Sequence, residues 1–126
     1  MNPILVIGSS NTDMVIKVPE LPLPGQTIAG EDFQIFGGGK GANQAIAAKR
    51  AGAAVRFIAA IGDDDFGKSA LQTFAAEGID TSSIQILADT PSGVAMIFVD
   101  AAGENCIGVA SGANALRYFN INYIPI

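Results

Sequence analysis

The sequence contains no histidine, and cysteine occurs once, at Cys106. Without histidine, a Ser-His-Asp triad, a Cys-His pair and a His-ligated metal are all excluded. A lone cysteine excludes an internal disulfide and suits a reducing compartment. Positive charge is scarce: Lys and Arg total 7 against 12 Asp and Glu, for a net charge of −5. Only Lys49 and Arg50 stand together, so there is no electrostatic footprint for nucleic acid or an anionic membrane. Long apolar runs are missing as well. The opening run at residues 4–7 is too short for a signal peptide and has no basic lead-in, and no segment approaches membrane-spanning length. These absences lead to the expectation of a soluble, cytoplasmic chain with no nucleic-acid or membrane partner. Core material is plentiful, with 49% hydrophobic residues, which excludes disorder. The length suits one domain, or part of a larger one, whose sheet faces would then be left uncovered.

Glycine is abundant, and its densest cluster is Gly37-Gly38-Gly39-Lys40-Gly41-Ala42-Asn43-Gln44. This run leads into an alanine-rich helix expected over residues 42–51, with Gly52 as its C-terminal cap. Glycines admit positive φ and let a ligand approach bare peptide groups. A helix start adds unpaired N–H groups and the positive end of its dipole. Lys40 contributes a cation and Asn43 a group that both donates and accepts. Three consecutive glycines followed by Lys and Asn favour a site for a polar, oxygen-rich small molecule over a plain strand-to-helix connection. The run also invites comparison with a triphosphate-binding loop. Gly41 stands where a Ser or Thr is needed after the lysine, and Gln34 where the first glycine would be, so that reading is weak.

Residues 4–7 read as a buried parallel strand ending in Gly8-Ser9-Ser10-Asn11, with polar groups at the carboxyl end, where open α/β sheets bind ligands. Residues 13–18 alternate, as in a strand covered on one face. Pro19, Pro22, Pro24 and Gly25 form a stiff, turn-rich connection, and a strand is expected at 33–36. Residues 55–61 read as a second buried strand. A helix over residues 66–77 would turn Leu71, Phe74 and Ala75 to one face and stop at Gly78. Asp63-Asp64-Asp65 resembles a metal-binding run, but acidic residues at a helix start are favoured by capping and the dipole, and that is the preferred reading. Residues 92–99 and 105–110 flank Asp100-Ala101-Ala102-Gly103 as a β-hairpin. Cys106, in a strand, is expected to be a small buried hydrophobe. The fold class is α/β, a mainly parallel βαβ sheet flanked by helices. Strands near 13–18, 33–36, 92–99 and 105–110 would form a small β-sheet lid.

An ordered set of motifs runs through the chain. Gly8-Ser9-Ser10-Asn11-Thr12-Asp13 is followed by Pro22-Leu23-Pro24-Gly25-Gln26-Thr27, then by Gly38-Gly39-Lys40-Gly41-Ala42-Asn43-Gln44-Ala45 with Gly52 and Gly62. Gly62-Asp63-Asp64, Ser92-Gly93-Val94-Ala95, Gly103-Glu104-Asn105 and Gly112-Ala113-Asn114 complete it. Over residues 4–114 this succession resembles the N-terminal part of the ribokinases, within the wider family of carbohydrate kinases named after the minor phosphofructokinase. The resemblance implies that Asn11 and Asp13 hydrogen-bond sugar hydroxyls. An ionised carboxylate only accepts and hydroxyls donate, so such bonds are charge-assisted. It also implies that Gly38, Gly39, Lys40 and Asn43 hold the sugar, and that Ala95 and Ile97 form an apolar wall against it. On their own residues, Asn11 and Asp13 read equally well as turn chemistry at a strand end.

The resemblance further implies ATP-dependent phosphorylation of D-ribose to D-ribose 5-phosphate, with ATP, Mg²⁺ and K⁺ as cofactors. It implies a homodimer through the lid sheet, whose apolar strands would need such cover. Family members are more than twice this length, and their second half carries the nucleotide site, an anion hole and the general-base Asp of a Gly-Ala-Gly-Asp motif, which this sequence does not contain. No catalytic residue and no metal ligand is therefore expected in this chain, and the truncated chain alone is expected to be inactive. Residues 115–126 have no family counterpart. Their alternation of Phe119, Ile121 and Tyr123 with Asn120, Asn122 and Ile124 suggests a strand. The alternative to a kinase is a non-catalytic sugar-binding or dimerisation module. An unrelated dinucleotide-binding domain is disfavoured, because no acidic residue closes a second strand at the required distance from the glycines.

Overall fold

The computed structural model describes residues 2–116. Strand β1, Ile4–Ile7, runs through residues 8–10 straight into β2, Asn11–Lys17, yet the two strands belong to different sheets. The first sheet has the order β1-β4-β5, where β4 is Val55–Gly62 and β5 is Ile84–Leu87, and both pairings are parallel. The second has the order β3-β2-β6-β7, with β3 at Phe33–Gly38, β6 at Gly93–Val99 and β7 at Asn105–Ala110. Its outer pairs are antiparallel and its central pair, β2 with β6, is parallel. Helix α1, Lys40–Arg50, leads from β3 into β4, and α2, Asp65–Ala76, follows β4; a 3-10 turn at Gly112–Leu116 follows β7. The expected α/β sheet with a small β lid is therefore present.

The core lies between the first sheet and its helices. β4 is the central strand, and its continuous apolar run is buried at Val55, Phe57, Ile58, Ala59, Ala60 and Ile61. Phe57 meets Phe74 of α2 edge to face, with ring centroids 5.2 Å apart and planes at 85°. Full burial of Phe57 and Ile61 stabilises the fold by about 1.5–3 kcal/mol each. Ala42 and Ala45 of α1 pack into the same cluster, where small side chains let the helix approach the sheet closely. The helix ends where expected, with Gly52 at φ 96° just beyond its cap.

Several expectations are corrected. The helix starts at Lys40, two residues early, and β3 runs on to Gly38, so the glycine run is a strand end, a one-residue hinge at Gly39 and a helix start. Strand β1 is not buried: Ile4, Leu5 and Ile7 are exposed and only Val6 is enclosed. Among the described residues it is an end strand with β4 as its single neighbour. Cys106 is exposed too, because β7 is an edge strand with every residue open. On α2 the inward face carries Gly67, Ala70 and Phe74, while Ala75 points to solvent. β5 and the 3-10 turn were not expected. The strand suggested within residues 115–126 lies, beyond Leu116, outside the described residues.

Candidate functional site

Successive strand residues point to opposite faces, so Asn11 and Asp13 share one face of the lid. Asp13 is paired with Phe36 on one side and Ala95 on the other, and Ala95 in turn with Val109. Ile97 and Ile107, paired across the next rung of that face, extend an apolar floor from the carboxylate. Gly38 makes room for that carboxylate: a Cβ built there would lie 2.2 Å from Asp13 Oδ2. Gly39 then turns the chain from strand into helix at φ 97°, a conformation an L side chain rarely adopts. A Cβ on Gly39 would also sit 2.6 Å from the Ser9 carbonyl oxygen.

That turn aims the start of α1 at the lid. The helix has no side-chain cap. The Ala42 N–H donates to the Ser9 carbonyl at 3.0 Å, whereas the N–H groups of Lys40 and Gly41 find no acceptor among the described residues. The exposed Lys40 ammonium likewise has no ion-pair partner among them. A cavity of about 620 Å³ lies between these parts. Asn11 and Asp13 enter it from β2, Ala95 and Ile97 from β6, and Gly39, Lys40 and Asn43 from the helix start. Of the eight residues singled out in the sequence, these seven share one enclosure. Gly38 instead borders a smaller neighbouring cavity of about 250 Å³, of which Asn11 and Asn43 are also walls.

Asp13 is the chemical centre of the cavity. It is half-buried, no described group donates to its carboxylate, and burial raises its pKa above the ordinary 3.8. An acceptor-only group held in a cavity without a partner is a ready site for hydroxyl donors. Around it the site supplies backbone and ammonium donors at the helix start, amides at Asn11 and Asn43, and the apolar floor. The arrangement offers the acceptor, donor and apolar surfaces that suit a small, neutral, hydroxyl-rich molecule with one apolar face.

Sequence reasoning missed Ser9, Ile107, Val109, Ser111 and Asn114, which also line the cavity. The apolar pair on β7 was legible in principle from its register opposite Ala95 and Ile97. Asn114 was noted only within a motif, and its side chain reaches Ser10, 104 positions away in sequence. The acidic run behaves as a cap: the Asp64 carboxylate accepts from the Gly67 N–H at 2.8 Å, the Ser92 hydroxyl at 2.7 Å and the Ser92 N–H at 2.8 Å. Among the described residues no group of three or more His, Cys, Asp or Glu side chains could hold a metal ion, and no helix is long and apolar enough to cross a membrane.

Comparison with known proteins places this geometry. The family profile described as pfkB family carbohydrate kinase matches residues 1–122. A ribokinase from Haemophilus influenzae is 51% identical over 110 residues, covering 87% of this chain and 36% of that protein. A deoxyribokinase from Salmonella typhi is 39% identical over 111 residues, covering 88% of this chain and 36% of its own length. Among solved structures, a Cryptococcus neoformans ribokinase in complex with ADP superimposes with a TM-score of 0.82 at 39% identity, covering 90% of this chain and 36% of that one. An Arabidopsis thaliana ribokinase complexed with ribose and ATP gives 0.80 at 31% identity, over 89% and 36%. The chain thus spans a little over a third of the length of the relatives it matches.

Proposed function

The chain belongs to the pfkB family of carbohydrate kinases, and from that premise we propose that it forms the sugar-binding portion of a ribokinase. The reaction of the whole enzyme is transfer of the γ-phosphate of ATP to D-ribose, giving D-ribose 5-phosphate, in the cytoplasm. The observation that carries this reading is the convergence of Asn11, Asp13, Lys40 and Asn43 on one cavity around an unpartnered carboxylate. In it Asp13 accepts from sugar hydroxyls, Asn11 and Asn43 bond further hydroxyls, and the sugar's carbon face lies on Ala95 and Ile97. The relatives include a deoxyribokinase as well as ribokinases, so the 2-hydroxyl is the position at which the preferred sugar is decided.

The described residues do not fit ATP or its cations. The carboxylate of Asp13 stands in the same cavity as Lys40 and repels a polyphosphate. Asp64, the best-placed acid of the acidic run, has both carboxylate oxygens committed to Gly67 and Ser92. ATP, Mg²⁺ and K⁺ therefore belong to the proposed reaction of the whole kinase. A second reading follows for these 126 residues on their own: a module that binds sugar without transferring phosphate.

Calorimetry tests the site. D-ribose should give a saturable heat with the purified chain, and Asp13→Ala should abolish it. Equal heats for both proteins, or none for either, would remove the sugar site. A coupled ADP assay should show no ribose-dependent turnover by this chain alone; turnover above background would overturn the module reading.

A further inference from the structure

Asn114, on the 3-10 turn, is held by the backbone of Ser10 at both ends of its side-chain amide. Its Oδ1 accepts from the Ser10 N–H at 3.0 Å, and its Nδ2 donates to the Ser10 carbonyl at 3.0 Å. A peptide N–H can only donate and a carbonyl can only accept, so these two bonds fix which end of Asn114 is which. The second proton of Nδ2 is then directed to Asn11, 2.7 Å away. The atom of Asn11 that meets it must be an acceptor, Oδ1, which leaves the Asn11 NH₂ with no partner among the described residues. The order of donor and acceptor passes from the Ser10 peptide through Asn114 to Asn11 without a free choice at any step. Asn114 is buried at 9% exposure and Ser10 at 4%, so water does not compete for the two bonds between them. Gly93 completes the arrangement: a Cβ there would lie 2.2 Å from Asn114 Nδ2 and 2.5 Å from Asn11 Oδ1.

We infer that Asn114 is a positioning residue, which locks the Asn11 amide with its NH₂ toward the ligand cavity so that this position can only donate to the bound molecule. The inference rests on the proposed sugar site. It deepens that reading by giving the site a polarity: beside the acceptor Asp13 stands an obligate donor, two residues away on the same strand face. A ligand matches when a hydroxyl that donates to Asp13 neighbours an oxygen that accepts from Asn11, as vicinal diols and a sugar ring oxygen next to a hydroxyl do. A ligand offering only donors at both points leaves the Asn11 NH₂ unpaired in a partly desolvated place.

Asn11→Asp separates the two orientations. With the amide locked as described, the aspartate keeps the acceptor that Asn114 needs and replaces the cavity-facing NH₂ by an oxygen. Ribose affinity should then fall by tenfold or more while the thermal midpoint changes little. If Asn11 instead presented its oxygen to the cavity, the same variant would keep ribose affinity and lose thermal stability, which would overturn the inference. A double-mutant cycle adds a readout that a purely structural role would not move. Asn114→Asp keeps the acceptor for the Ser10 N–H but turns an oxygen on both the Ser10 carbonyl and Asn11. Beyond its cost in stability it should therefore weaken ribose binding in the wild-type background and have no further effect on binding once Asn11 is Ala. Additive losses would show that Asn114 does not act through Asn11. Where a variant does not fold or the wild type binds no ribose, side-chain amide exchange in the ¹⁵N-labelled wild-type chain decides the orientation independently. Protected Asn114 protons beside freely exchanging Asn11 protons support the lock, and the reverse pattern overturns it. Absence of ribose heat with a protected Asn114 amide would count against the sugar reading alone.

Discussion

Asp13 shows how the role proposed for a single residue comes at a cost to the fold. Its carboxylate is withdrawn from water by its neighbours, receives no hydrogen bond from the described residues, and titrates above 3.8 as a result. The sign of the linkage follows. A carboxylate whose folded-state pKa is raised contributes proton-linked stability that is full below the unfolded value and is lost as pH rises through the folded value. At neutral pH the empty cavity therefore holds a charge that the fold would shed. Asp13→Asn should raise the thermal midpoint at pH 7, with the gain disappearing in acid. In the wild type, ribose affinity should decline as the pH is lowered through the raised pKa of Asp13 and the carboxylate takes up its proton. A pH-independent affinity measured by calorimetry would separate sugar binding from this group. The place of Asp13 on the cavity was legible because Asn11-Thr12-Asp13 follows a strand in a recognisable motif. Its isolation was not, since that depends on Gly38 leaving the space above it free, a register fact of β2 against β3.

At the scale of elements, local chemistry fixed the ends better than burial. α2 begins at Asp65 because Asp64 caps it, and the same carboxylate ties the helix to the start of β6 through Ser92. Desolvation works to raise the Asp64 pKa, but the bonds from Ser92 and the Gly67 N–H outweigh it and hold the group below 3.8. The Ser92 hydroxyl in turn accepts from the Gly62 N–H at 2.9 Å, joining the ends of β4, α2 and β6 at one buried point. Asp64→Ala should lower stability by about 2 kcal/mol, from the lost cap and the unpaired Ser92 groups. Denaturant titration checks this, and the difference from wild type should shrink as pH falls below 3.8 and the carboxylate takes up its proton. The caps at Gly52 and Gly78 were equally legible, since both sit at positive φ just past a helix. β5 was not. It is four residues long, Ile84–Leu87, and among the described residues its only strand neighbour is β4, so neither length nor alternation marks it out. The exposure of β1 and Cys106 escaped for a related reason: an apolar sequence reports suitability for burial, whereas the neighbours that would bury it are set by strand order.

For the whole molecule, the consequence is unclaimed apolar surface. Phe33, Ile35 and Met96 are between 54% and 59% exposed. Their pairings with Ile16 and Met14 put them on the lid face turned away from Asp13. Ile4, Ile7 and Ile86 are open on the outer strands of the other sheet. Surface of this kind favours association, and the homodimer expected from the resemblance would use the lid. Light scattering should give the mass of two chains at high concentration, and Met96→Glu should return it to one. A wild-type monomer at every concentration would leave the lid interface without support. One property of the connectivity bears on how such a lid works. The chain crosses between the two layers after Ile7, after Gly38, before Gly93 and after Ala110, and the pairings of Asn11 with Gly38 and Gly93, and of Val94 with Ala110, bring these crossings to one end of the lid. The cavity lined by Asn11, Asp13, Lys40 and Asn43 lies at that end, so any rotation of the lid about its crossings would be centred beside those groups. A displacement at the far tip, near Pro19 and Gly103, would then reach them only as a small turn.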